Sequence, residues 1–75
     1  MTVENLIKKK MFELLGHNEY NFDEDLSDEI GLDSLERVEL IYFCTDEYGV
    51  NMNDYYLEGI YTLNNLKDFI EFRII

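Results

Sequence analysis

The chain has 75 residues, with 17 Asp and Glu against 6 Lys and Arg, so its formal net charge is -11. That length holds one small core and no cleft between two domains. The charge argues against nucleic acid and against stable binding to anionic membranes, since both call for cationic surfaces. A hydrophobic fraction of 47% is too high for an acidic disordered tail. The chain is therefore expected to fold as a single domain, residues 1–75, and to act as a monomer that meets partners through their basic patches.

One cysteine, Cys44, excludes an internal disulfide and a cysteine-based zinc site. No stretch approaches the ~20 apolar residues of a membrane span. The start, Met1-Thr2-Val3-Glu4, reaches Lys8, Lys9 and Lys10 without the apolar run of a signal peptide, so a cytoplasmic location is expected. Proline is absent, and Gly16, Gly31, Gly49 and Gly59 read as punctuation between helices.

Val3, Ile7, Met11, Leu14 and Leu15 recur at helical spacing, with Leu6 beside them, and predict a first helix from Val3 to Leu15. Thr2 is its expected N-cap and Gly16 its left-handed end. Phe12 falls off the stripe and is expected to pack under the following loop. His17, the only histidine, reads as a surface residue at the helix end.

Residues 17–32 show no sustained period and read as an ordered loop pinned by Phe22, Leu26 and Ile30. The acids from Asp23 to Glu29 resemble the start of a calcium loop. That template fails where Asp28 replaces the required glycine and Ser34 the bidentate glutamate, so no metal site is assigned.

A second helix is predicted from Ser34 to about Tyr48, with Asp33 as N-cap and Glu36 completing a capping box. Leu40, Ile41, Cys44 and Tyr48 project to one side, flanked by Phe43. Leu35, Val38, Glu39, Tyr42 and Asp46 project to the other. A core face excludes Glu39 and Asp46, and a solvated face excludes Leu35, Val38 and Tyr42. The mixture reads as a protein-docking face, with Glu36 and Glu47 beside it. Cys44 reads as an inert buried thiol.

Gly49 ends this helix. A short third helix is predicted from Asp54 to near Gly59. A fourth is capped by Thr62 and buries Leu63, Leu66, Phe69 and Ile70. The fold class is all-α: a small antiparallel bundle of three longer helices plus one short helix. Six tyrosines and five phenylalanines are many for this size. Most are expected in the core, with Tyr55 and Tyr56 shaping a groove.

The informative stretch runs from Glu29 to Leu40 and sets Ser34 where an acidic loop meets a helix start. The first N–H groups of a helix lack internal partners and bear partial positive charge, so a phosphoester on Ser34 is physically sensible there. Position alone does not choose which one.

Gly31-Leu32-Asp33-Ser34-Leu35 followed by Val38-Glu39-Leu40 resembles the attachment motif of the acyl carrier protein family. Leu15-Gly16, Leu26, Asp28 to Gly31, Glu47-Tyr48, Asp54 and Ile60 to Leu63 resemble that family's junctions over nearly the whole chain. The resemblance implies a free-standing carrier with no catalytic residues of its own. A phosphopantetheinyl transferase would attach a 4'-phosphopantetheine arm from coenzyme A to Ser34. Asp33 would help present the serine. The arm would hold acyl intermediates as thioesters for acyl-loading and acyl-processing enzymes of fatty-acid or polyketide synthesis, docked on Leu35, Glu36, Val38, Glu39, Tyr42, Asp46 and Glu47. An aminoacyl, peptidyl or D-alanyl carrier of the same fold remains open, as does an acidic helical adaptor without an arm.

Two residues depart from the family pattern. Arg37 stands where simple fatty-acid carriers tend to have a small residue near the acyl cavity. Its guanidinium is expected to snorkel to a loop carboxylate and to leave long acyl chains poorly sheltered. Asn53 stands where the family often has proline, which loosens the loop. Between Met11 and Leu66 stand 14 acidic residues and one basic one, Arg37, so the charge gathers around the serine and the lysines are set apart on the first helix.

Overall fold

A computed structural model describes residues 2–74; Met1 and Ile75, the two ends of the expected domain, lie outside the described residues. Four helices follow in order: α1 Val3–Leu15, α2 Ser34–Glu47, α3 Asp54–Leu57 and α4 Leu63–Arg73. There is no strand among the described residues, and three longer helices plus one short helix form the expected all-α bundle.

Each boundary has a local cause. Thr2 Oγ1 accepts from the Asn5 N–H at 3.1 Å and opens α1. Gly16, at φ 80°, closes it by donating its N–H to the Phe12 carbonyl at 2.8 Å, in a backbone region open to residues without a Cβ. Asn53 caps α3 by accepting from the Tyr56 N–H at 3.0 Å. The residue at the family's frequent proline position is therefore a helix cap and not merely a looser link. Thr62 Oγ1 accepts from the Asn65 N–H at 3.0 Å and opens α4, and Asn65 Oδ1 accepts in turn from the Thr62 N–H at 3.1 Å, which completes a capping box.

The core is aliphatic. Ile7, Met11, Leu26, Leu40, Ile41, Leu63, Leu66 and Ile70 are fully buried together with Cys44. Full burial of such a side chain stabilises by roughly 1.5–3 kcal/mol. α1 packs against both α2 and α4. Leu32, Val50 and Ile60 join the core from connections, where no periodicity marks them. Thr45 is buried as well; its hydroxyl donates to the Ile41 and Tyr42 carbonyls at 2.9 and 3.2 Å, which removes the cost of burying it.

The aromatic residues correct the expectation. None is fully buried: Phe12, Tyr55, Tyr56, Tyr61 and Phe72 are exposed and the other rings are half-buried. Aliphatic side chains fill the interior, and rings such as Tyr20, Phe22, Phe43, Tyr48 and Phe69 lie against its edge. Phe12 is 54% exposed and does not pack under the loop. The loop crosses to α4 instead, because the Asn64 N–H donates to the Phe22 carbonyl and the Leu26 N–H to the Tyr61 carbonyl at 2.8 Å.

That loop, residues 17–32, is pinned as expected by Leu26, which is fully buried, with Phe22 and Ile30 packed beside it. Three of its acids, Glu24, Asp25 and Glu29, bond the loop's own backbone. Asp25 Oδ1 accepts from the Ser27 and Asp28 N–H groups at 2.9 and 2.8 Å, and Glu29 Oε1 accepts from the Asp25 N–H at 2.8 Å. Asn64 Nδ2 donates to Asp23 Oδ1 at 2.6 Å, tying the loop to α4 a second time. A loop without its own helix is thus ordered by carboxylates that satisfy backbone donors.

Candidate functional site

The loop delivers the chain to the start of α2. Asp33 sits there in extended backbone, and its Oδ1 accepts from the Glu36 N–H at 2.7 Å. Glu36 Oε1 in turn accepts from the Asp33 N–H at 3.1 Å, so the expected capping box is complete. Asp33 Oδ2 takes part in neither bond. Ser34 follows as the first helical residue and is exposed. Its hydroxyl has no hydrogen-bond partner among the described residues. The Ser34 and Leu35 N–H groups precede the first intrahelical bond, which runs from the Arg37 N–H to the Asp33 carbonyl at 3.0 Å. An unengaged hydroxyl beside free helix-start donors is chemically suited to bear a phosphoryl substituent.

The face of α2 beyond Ser34 is mixed, as the projection required. Leu35 is 79% exposed, Val38 and Tyr42 are half-buried, and Glu39, Asp46 and Glu47 are exposed. Two of its acids are engaged within the chain. Glu36 belongs to the capping box. Glu39 Oε2 meets Lys10 Nζ at 3.0 Å, and that nitrogen also lies 3.4 Å from Glu13 and 4.8 Å from the centre of the Phe43 ring. Lys10 is thus not set apart on α1. Packing of α1 on α2 places it beside Glu39, and the Glu39 bond, then Glu13, holds its ammonium above the ordinary lysine range against the opposing effect of burial. Leu35, Asp46 and Glu47 are the face's unengaged members. On the opposite side, burial pushes the Cys44 thiol up to about 12, which keeps it protonated and unreactive at neutral pH.

Arg37 departs from its expected partner. Its Nη1 donates to the Leu57 carbonyl at 3.1 Å and the Ile60 carbonyl at 2.9 Å, not to a loop carboxylate. Leu57 is the last residue of α3 and Ile60 lies in the connection beyond it, so Arg37 ties α2 to both; the Leu57 carbonyl also accepts from the Ile60 N–H at 3.3 Å. Asp25 and Asp28 face the same small cleft, with Ser27 and Tyr61. Sequence periodicity placed Arg37 toward the interior; it had no means of choosing among backbone acceptors, because every residue has one.

Tyr55 and Tyr56 do line a groove, which runs between α3 and α4 and is continued by Tyr61, Phe69, Phe72 and Arg73. Among the described residues no group of three or more His, Cys, Asp or Glu side chains is placed to hold a metal ion. No described helix is long and apolar enough to cross a membrane.

No protein-family model matches the chain. Individual relatives do. Acyl carrier proteins from three strains of Buchnera aphidicola subsp. Acyrthosiphon pisum, Tuc7, 5A and APS, are each 37% identical to it over 71 residues, covering 92% of this chain and 89% of theirs. With that identity over nearly the full length, and the helical bundle in place, the chain belongs to the acyl carrier protein family.

Proposed function

We propose that residues 1–75 form one carrier unit, which holds acyl groups on a 4'-phosphopantetheine arm at Ser34 and hands them between enzymes of fatty-acid or polyketide type. The observation that carries this is Ser34 itself: exposed, without a hydrogen-bond partner, and first in a capped 14-residue helix. In the attachment step the Ser34 O–H bond breaks and an Oγ–P bond forms. The nucleotide half of coenzyme A leaves as adenosine 3',5'-bisphosphate. The arm supplies a terminal thiol for thioester exchange.

The chain's own residues do the rest. The free N–H groups at the start of α2 stabilise the phosphodiester's negative charge. Asp33 holds the helix start through Oδ1 and keeps Oδ2 for presenting Ser34, and the metal that accompanies coenzyme A, to a phosphopantetheinyl transferase. Leu35, Val38 and Tyr42 supply apolar contact on the docking face. Asp46 and Glu47 steer basic partners, with Glu36 and Glu39 adding charge from their engaged positions. Such surfaces favour fast, weak encounters, which suits a monomeric carrier that must leave each partner. The carrier performs no catalysis.

The test is intact mass after incubation with coenzyme A and a broad-specificity transferase. The wild-type chain gains the arm and Ser34→Ala does not. No gain by the wild type, or an equal gain by Ser34→Ala, overturns the proposal. Asp33→Asn separates the two roles of Asp33: the amide oxygen preserves the cap and stability, while the rate of arm addition falls.

A further inference from the structure

We propose that the groove between α3 and α4 seats a neutral, planar aromatic acyl group carried on this chain's own Ser34 arm. The proposal rests on the carrier reading above and names a cargo class for it. The groove is open to solvent, with a volume of about 700 Å³, and its lining includes Tyr55, Tyr56, Tyr61, Phe69, Phe72 and Arg73. Its rings touch one another: Tyr56 meets Phe69 at 5.2 Å between centroids, and Tyr55 meets Tyr56 edge-on at 5.6 Å. Tyr55, Tyr61 and Phe72 are 80%, 61% and 79% exposed. These exposed rings gather along one groove.

The chemistry of the walls selects the occupant. Aromatic faces favour a planar ring, in offset or edge-on contact, over a saturated chain that gains from buried area alone. The Arg73 guanidinium lies 3.6 Å from the Phe69 centroid and 4.9 Å from the Tyr56 centroid, and Nη1 donates to the Phe69 carbonyl at 3.1 Å. Its remaining donors have no partner among the described residues and suit a carbonyl or ether oxygen of the cargo. Glu58 and Asp68 also line the groove. Two carboxylates against one guanidinium oppose a fully anionic cargo, so the acceptor it offers is neutral.

One end of the groove approaches the start of α2. Arg37 lies three residues from Ser34, about 4.5 Å along the axis of α2. Its Nη1 holds the Ile60 carbonyl at 2.9 Å, and Ile60 and Tyr61 form the near end of the groove. Tyr61 also borders the cleft that Arg37 lines. Tyr61 is thus the end of the groove nearest the start of α2, while Tyr56 and Arg73 reach the cleft lined by Tyr48 and Gly49 at the far end of that helix, so an arm on Ser34 would enter at Tyr61. The same two Arg37 bonds tie α2 to the end of α3 and to the connection beyond it.

The experiment loads the Ser34 arm with a 4-methoxybenzoyl group in a stable amide linkage, with an octanoyl group, or with nothing, each confirmed by intact mass. NMR then follows the aromatic resonances and the Arg73 side chain. The aryl load is expected to shift Tyr56, Tyr61, Phe72 and Arg73 and to show ring-to-ring Overhauser contacts. Phe72→Ala and Arg73→Gln, both at exposed positions, are expected to weaken those contacts, and Arg73→Gln to speed hydroxylamine cleavage of the corresponding aryl thioester several-fold. Octanoyl is expected to leave the rings as the empty arm does. Groove signals that do not move, that move equally for octanoyl, or that survive both substitutions overturn the groove assignment. So do shifts confined to Leu40 and Ile41. A chain that gains no arm by mass overturns the carrier reading itself, which keeps the two failures distinct.

Discussion

The loop at residues 17–32 and the outer face of α2 are both rich in carboxylates, yet the two regions use them in opposite directions. In the loop, Asp25, Glu24 and Glu29 accept from backbone N–H groups at 2.6–2.9 Å, and Asp23 accepts from Asn64. On α2, the backbone is already satisfied within the helix, so Asp46 and Glu47 are left to the solvent. A negative charge therefore has no fixed meaning in this chain. Where the backbone lacks a ladder, the acid builds structure; along the helix, Glu36 and Glu39 are held by the cap and by Lys10, and only Asp46 and Glu47 face solvent.

The strongest way to break the comparison is to remove the apolar anchor under the loop. Leu26 is fully buried, its N–H donates to the Tyr61 carbonyl, and its own carbonyl accepts from the Gly31 and Leu32 N–H groups at 3.1 and 2.9 Å. Leu26→Ala is expected to cost about 2–5 kcal/mol by lost burial and a residual cavity. Thermal unfolding measures it. A loss under about 1 kcal/mol would show that the carboxylates alone hold the loop.

Asp25→Ala is the next largest test. It strips two backbone donors of a charged acceptor, and hydrogen bonds to charged groups contribute roughly 1.5–3 kcal/mol each before water substitutes. A net loss of about 2 kcal/mol is expected, a fall in Tm of roughly 8–16 °C for a domain of this size. Hydrogen exchange at the Ser27 and Asp28 amides should accelerate with it. A stability unchanged from wild type would make these acids surface charges like those of α2.

Helix boundaries were legible in the sequence because their causes are local. Thr2, Asp33 and Thr62 each bond a residue three positions on, and Gly16 needs only its own backbone. The place of Ser34 at the start of α2 was legible for the same reason. Partners fixed by packing were not. The acceptors of Arg37 lie 20 and 23 residues away and are carbonyls without a side-chain signature. The Lys10–Glu39 pair exists only because α1 lies on α2. The exposed rings were misplaced because hydropathy records what a side chain prefers and not whether an aliphatic neighbour has already filled the interior. The groove along α3 and α4 is the consequence.

The smallest structural effect and the sharpest functional one belong to the other half of the comparison. Asp46 and Glu47 are exposed at the end of α2, outside the capping box and the Lys10 pair. Replacing both by their amides is expected to change stability by no more than about 0.5 kcal/mol, the usual range for surface sites. Their charge acts at a distance, on the approach of a basic partner. Stopped-flow association with a transferase should therefore slow at low salt, while dissociation changes little. The salt dependence of the association rate should flatten, because fewer charges remain to be screened over the ~10 Å Debye length at 0.1 M. A double variant that unfolds easily, as Asp25→Ala is expected to, would erase the distinction between inward and outward acids. One that binds at the wild-type rate would move the docking face elsewhere on the chain.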